Sequence, residues 1–144
     1  MTSIEAVASL FAQANNVSLR LESPEVLPQA YVDPDKIFLV FQNLIDNAIK
    51  YIKGQGEVKV ILREENNFIK VAISDTGVGI PQSQQKYIFK KFFRSDNIMK
   101  YQTIGTGLGL FIAKAAIKQN NGQIWFESKE GKRTTFYFTL PIYK

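Results

Sequence analysis

The chain contains no cysteine and no histidine. Without thiols there can be no disulfide scaffold, no thiol nucleophile and no cysteine-based zinc site. Without imidazole, Ser-His-Asp catalysis, histidine metal sites and an imidazole general base are excluded as well. Any chemistry therefore falls to carboxylates, amides, hydroxyls, lysines, arginines and backbone N–H groups. Long apolar runs are also missing. The run at residues 37–41 is far short of the ~20 residues needed to cross a bilayer. No basic segment followed by an apolar one opens the sequence, so no signal peptide is expected. The expectation is a soluble, cytoplasmic chain that makes no membrane contact itself, although a full-length parent can be membrane-anchored.

What is present is ordinary in amount and uneven in placement. The 144 residues, 45% apolar and 22% charged, suit one globular domain rather than a disordered or fibrous chain. A domain of that size buries roughly 68–70% of its unfolded surface. The net charge is +5, and most of it lies in residues 81–104, where Lys86, Lys90, Lys91, Arg94 and Lys100 face Asp96 alone. That concentration, with no aromatic residues interleaved on a strand pattern, argues against nucleic-acid binding.

No internal repeat or low-complexity linker interrupts the chain, so a single domain is expected over 1–144. Thr2 and Glu5 have capping-box spacing, and Ile4, Val7, Ala8, Phe11 and Ala14 follow at helical intervals. Val17, Leu19 and Leu21 alternate as in a half-buried strand. Asp33-Pro34-Asp35 combines an N-cap with proline at the first helical position, predicting a helix to about Tyr51. Residues 58–62 and 68–74 read as a hairpin, 110–120 as a helix ended by Asn121-Gly122, and 124–127 and 134–140 as two strands around Gly131. The fold class is α+β: a two-layer sandwich whose mixed, mostly antiparallel sheet of about five strands is covered on one face by about three helices.

Three features carry chemistry. Asn43, Asp46, Asn47 and Lys50 fall at i, i+3, i+4 and i+7 and share one helix face. Such a stripe is most often just solvated, but Asn and Asp are poor helix-interior residues, and an Asn carbonyl is a neutral oxygen ligand suited to Mg²⁺. Next, Asp75-Thr-Gly-Val-Gly-Ile follows a strand, with Gly77 and Gly79 allowing tight turns and Asp75 placed to accept a hydrogen bond. Finally, Gly105-Thr-Gly-Leu-Gly-Leu opens a helix, where orphan N–H groups favour an anion. A Rossmann fingerprint needs glycine where Leu110 stands, and no Gly-Lys-Ser/Thr follows to make a Walker loop.

In this order and on these element types, the motifs resemble the catalytic and ATP-binding domain of sensor histidine kinases, within the GHKL superfamily with its Bergerat fold. The resemblance covers roughly residues 33–141. Its N box is Asn43-Leu-Ile-Asp-Asn47-Ala-Ile-Lys50-Tyr51, its first glycine box Asp75-Thr-Gly-Val-Gly-Ile, its F box Ile88-Phe-Lys-Lys-Phe-Phe-Arg94, and its second glycine box Gly105-Thr-Gly-Leu-Gly-Leu.

By that resemblance, Asp75 accepts from the adenine amino group and selects ATP over GTP. Gly77 and Gly79 shape the adenine pocket, Ile80 and Tyr51 lie against base or ribose, and Thr135 supports the Asp75 end. Asn47 binds a Mg²⁺ that bridges the phosphates, flanked by Asn43 and Lys50. The second glycine box, Gly105, Thr106, Gly107, Leu108, Gly109 and Leu110, gives N–H groups to phosphate oxygens. Residues 81–104 correspond to the ATP lid, with Arg94 as its phosphate contact. Asn43, Lys50 and Arg94 are thus the implied catalytic residues. ADP is the implied product.

Hydrolytic relatives carry a glutamate where Asn43 stands, and an amide cannot take a proton from water. The resemblance therefore implies a protein-histidine kinase domain in a two-component phosphorelay. It would transfer the γ-phosphate to a histidine on a separate dimerisation domain and act indirectly on a response-regulator receiver domain. A regulatory nucleotide-binding module without transfer, or a GHKL ATPase, is the alternative. Isolated, the chain is expected to be monomeric, with a trimmed N-terminal helix and strand in residues 1–32. Arg133 stands where the family tends to have a small residue. A positive φ there would cost on the order of 1 kcal/mol.

Overall fold

The structure, a computed structural model, describes residue 4 and residues 18–30, 32–52, 56–90 and 109–142. Five strands form one sheet: β1 (Ser18–Glu22), β2 (Glu57–Glu65), β3 (Phe68–Asp75), β4 (Gln123–Lys129) and β5 (Arg133–Pro141), in spatial order β1-β2-β3-β5-β4. β1 runs parallel to β2, and every other pairing is antiparallel. Helices α1 (Pro34–Tyr51) and α2 (Gly109–Gln119) pack on each other and on one face of the sheet. A short 3₁₀ helix, Gln82–Tyr87, follows β3 after a loop.

Local chemistry explains the boundaries. α1 starts at N-cap Asp33, whose side chain accepts from the Asp35 N–H at 3.0 Å, with Pro34 at the first turn. The β2–β3 connection is a tight turn in which both central residues, Asn66 (φ 52°) and Asn67 (φ 67°), are left-handed. This is the geometry that matches the twist of a hairpin. α2 ends on Asn121 (φ 63°), with the Gly122 N–H closing back on the Ile117 carbonyl at 3.0 Å. A β-carbon at Gly122 would stand 1.9 Å from the Thr139 carbonyl, so that stop also requires glycine for space.

The core lies between the sheet and the helices. Val58, Val60 and Leu62 of β2, Ile69, Val71 and Ile73 of β3, and Phe136, Phe138 and Leu140 of β5 alternate inward to meet Ile37, Phe41, Leu44 and Ile45 of α1. Phe41 and Phe138 pack edge to face at 5.4 Å. Ile4 is helical and fully buried, while the rest of the expected first helix, and Val17, lie outside the described residues. Positive φ falls on Gly131 (80°), and Arg133 is already the first residue of β5. The strain expected at Arg133 is therefore not there.

Candidate functional site

α1 carries the amide stripe. Asp46 is exposed, whereas Asn43, Asn47 and Lys50 are half-buried. The Asn43 amide donates to the Leu39 carbonyl one turn back, at 3.0 Å. A β-carbon built on Gly109 would lie 3.0 Å from Asn43 Oδ1, so the first residue of α2 sits directly on that side chain. The start of α2, the positive end of its helix dipole, is thereby set beside the stripe.

The amide nitrogen of Asn47 is buried and has no hydrogen-bond partner among the described residues. An end left unpaired costs about 1–3 kcal/mol, which a ligand can relieve, and an amide flip brings the oxygen to the same place. Among the described residues no group of three or more acidic side chains could hold a metal. The donor set here is one neutral oxygen, which fits Mg²⁺, an ion that keeps waters and phosphate oxygens as most of its ligands.

Asp75 ends β3 facing the helices, 1% exposed. Its Oδ1 accepts from the Gly77 N–H at 2.8 Å, while Oδ2 is buried with no partner in hydrogen-bond geometry among the described residues. Burial pushes its carboxyl up from the ordinary 3.8 to about 7, against a smaller opposing effect of the Gly77 and Thr134 backbones. One oxygen is thus fixed by the glycine turn and the other is an acceptor held open. Gly79 has φ +72° and lies against the β4–β5 turn, and the Gly131 N–H donates to the Val78 carbonyl at 2.6 Å. Ile80 is fully buried, and its N–H donates to Ser128 Oγ at 2.8 Å.

The C-terminal end of α1 reaches the Asp75 corner through Gly56. A β-carbon on Gly56 would touch Ile52, the C-cap of α1, at 2.6 Å and Thr76 Oγ1 at 3.1 Å. Thr76 follows Asp75, and Asn47 lies five residues before Ile52, about 7.5 Å of helix rise. The F-box Phe89 packs edge to face on Phe126 (5.9 Å) and Phe136 (6.2 Å), with the Lys114 ammonium 5.1 Å from its ring centre. Lys86 and Lys90 each approach the Tyr87 ring at 5.0 Å.

Gly109 and Leu110 begin α2. Arg94, Gly105, Thr106, Gly107 and Leu108 lie outside the described residues, as does most of the segment 81–104, and Tyr51 is placed only as the last residue of α1. Support of Asp75 by Thr135 is corrected by one position. Thr135 lies on the opposite face of the sheet, its hydroxyl donating to Ser74 Oγ at 2.9 Å beside Lys70 and Tyr137. Thr134 is the residue paired across from Asp75 and is fully buried. Sequence reasoning also missed Ser128 and Gln85. Gln85 Nε2 donates to the carbonyls of Ile80 (3.1 Å) and Ser128 (3.3 Å) and ties the 3₁₀ helix to the same corner. The alternation of strand 134–140 was the available signal for Thr134, because Phe136 and Phe138 fix which parity points inward.

The family profile described as Histidine kinase-, DNA gyrase B-, and HSP90-like ATPase matches residues 32–144. Adaptive-response sensory kinase SasA of Synechococcus sp. (strain JA-3-3Ab) is 40% identical over 133 residues, covering 92% of this chain and 35% of SasA. Sensor histidine kinase WalK of Bacillus subtilis (strain 168) is 41% identical over 112 residues, 76% of this chain and 18% of WalK. The chain thus spans about a third or less of these relatives' length. The solved catalytic domain of histidine kinase ThkA superposes with a TM-score of 0.78 at 29% identity, covering 96% of this chain and 90% of that one. The mycobacterial sensor histidine kinase MprB shares the fold with a TM-score of 0.79 at 24% identity, over 96% of this chain and 93% of that one.

Proposed function

Because this chain belongs to the histidine kinase-, DNA gyrase B- and HSP90-like ATPase family, on its histidine-kinase side, we propose that it binds Mg²⁺-ATP and donates the γ-phosphoryl group to a histidine on a separate dimerisation domain. The observation that carries this reading is the Asp75 corner. A buried carboxylate with one oxygen satisfied and the other open is costly in the free protein, and it becomes satisfied when an exocyclic amine enters. An adenine amino group supplies that donor.

At the phosphate end, Asn47 is the Mg²⁺ ligand. A Mg²⁺ held there would supply charge neutralisation of the phosphates. Gly109, seated on Asn43, starts α2 so that its N–H groups and helix dipole face the same region. Lys50 adds positive charge in the last turn of α1. Arg94 of the basic segment is the further phosphate contact. Asn43 accepts no proton at neutral pH, so water is a poor nucleophile in this site and the γ-phosphate is kept for a side chain.

The chain contains no histidine, so the acceptor is supplied by another domain. In the transfer, an imidazole nitrogen of that histidine forms a bond to the γ-phosphorus and the bond to the bridging oxygen of ADP breaks. The displaced imidazole proton leaves to solvent. Catalysis is chiefly positioning and charge stabilisation, since the protein forms no covalent bond to the phosphoryl group. The phosphohistidine then supplies a response-regulator receiver domain.

The test mixes the purified chain with a separately produced histidine-bearing dimerisation domain and γ-labelled ATP. The expected result is acid-labile, alkali-stable label on the second domain. Tight ATP binding with no label transferred, or rapid phosphate release to water, would overturn the kinase reading in favour of a passive nucleotide-binding module or an ATPase.

A further inference from the structure

Among the described residues, the hydroxyl of Thr134 has one side-chain partner, Ser128 Oγ, at 2.7 Å. Ser128 Oγ in turn receives the Ile80 N–H at 2.8 Å and lies 3.2 Å from the Arg133 carbonyl, a group that can only accept. Each hydroxyl has one hydrogen to place. If Ser128 donated to Thr134, the Thr134 hydrogen would have no acceptor in a fully buried position. Asp75 Oδ2, on the residue paired with Thr134, makes no hydrogen bond among the described residues. An orphaned buried donor is expensive. The lower-cost arrangement runs one way: Thr134 donates to Ser128, and Ser128 donates to the Arg133 carbonyl.

The consequence appears on the inward side of the sheet. Asp75 and Thr134 are directly paired between β3 and β5 and are both buried on the helix-covered face, so their side chains are close neighbours. With its hydrogen committed to Ser128, Thr134 has only lone pairs left to offer beside the open oxygen of Asp75. We infer that Ser128 is a specificity-determining positioning residue, which holds Thr134 as an acceptor so that the buried floor of the base site presents acceptors alone and rejects 6-oxo purines.

This inference rests on the Mg²⁺-ATP reading given above. A 6-amino purine meets such a floor with its N–H on Asp75 and sets no carbonyl against Thr134. A 6-oxo purine sets a carbonyl against two acceptors. Without the serine hydroxyl, Thr134 has no acceptor for its hydrogen and turns it toward the base, where it can meet a carbonyl.

The test compares the Mg²⁺ complexes of ATP and inosine triphosphate, which differ only at this edge, by calorimetry on the whole chain well above pH 7, where the Asp75 carboxyl is ionised and can only accept. The unaltered chain should prefer ATP. In Ser128→Ala the preference should shrink about tenfold, mainly through tighter inosine triphosphate binding, and Ser128→Thr, which keeps the hydroxyl, should restore it. Loss of packing alone would weaken both nucleotides together and leave the ratio unchanged. A folded Ser128→Ala with an unchanged ratio overturns the inference while leaving ATP binding standing, whereas an unaltered chain that binds neither nucleotide removes both readings. If Ser128→Ala fails to fold, Thr134→Val, which is nearly isosteric, carries the test. Its ratio must also shrink, and an unchanged ratio overturns the inference.

Discussion

Gly79 and Lys129 meet so closely that a β-carbon on the glycine would stand 2.3 Å from the lysine's carbonyl oxygen and 2.7 Å from the Glu130 Cα. The obstruction is backbone and cannot swing away. Together with the Gly131 N–H on the Val78 carbonyl and the Ile80 N–H on Ser128, it makes the first glycine box and the β4–β5 turn one clamp. Asp75 is held at the foot of that clamp, so the backbone that closes the corner also fixes one oxygen of its carboxyl.

Gly79→Ala should therefore destabilise the domain by about 2–4 kcal/mol, from a left-handed φ plus a backbone collision. Gly131 shares the positive φ but has nothing within 4 Å of a built β-carbon. Gly131→Ala should cost only about 1 kcal/mol. Urea denaturation of the two variants measures both. Equal costs would show that close approach plays no part.

The pH dependence of the free chain follows from Asp75. Its carboxyl titrates at about 7 folded and near 3.8 unfolded, so between those values the folded state binds the extra proton. Stability from this group is greatest below pH 4, declines as the pH rises toward 7, and is flat above. The full span is roughly 4 kcal/mol. Asp75→Asn should remove that decline and leave the nucleotide-free protein at least as stable as the unaltered chain at pH 7.5. Chemical denaturation from pH 4.5 to 7.5 checks it, and parallel curves for the two proteins would contradict it.

Asn43→Glu puts a proton acceptor in the position that hydrolytic relatives use. Phosphate release from ATP without an acceptor domain should rise by on the order of 10² or more, the lower range of general-base catalysis. A colorimetric phosphate assay reads it. No increase, with ATP still bound, would mean that the amide is not what restrains hydrolysis.

Phe89 anchors the start of the basic segment on Phe126 and Phe136. Phe89→Ala should cost about 2–4 kcal/mol, somewhat less than a fully buried phenylalanine because the ring is half-buried. Thermal melts that match the unaltered chain would show that the Phe89 ring makes no stabilising contact.

Local signals were legible where one residue type has one reason to stand. Asp33-Pro34 marked a helix start and Asn121-Gly122 a helix end, and the alternation of 58–62, 68–74 and 134–140 marked the strands. The candidate site was legible in its motifs but less so in its partners. Asn43, Asn47 and Asp75 announce themselves as polar residues in apolar surroundings. Ser128 and Gln85 do not, because a single serine or glutamine carries no periodic signal, and their role exists only once β4 and the 3₁₀ helix fold onto Ile80. The exchange of Thr135 for Thr134 came from parity. Two adjacent threonines face opposite sides of a sheet, and only the register against Asp75 decides which one is inside.

The most direct test of the central claim is the thermal shift of the unaltered chain and of Asp75→Asn with Mg²⁺ and ATP at pH 7.5. ATP should raise the melting temperature of the unaltered chain, while Asp75→Asn should melt no lower without nucleotide yet gain no shift with it. An equal ATP-induced shift in both proteins, or none in the unaltered chain, would contradict it.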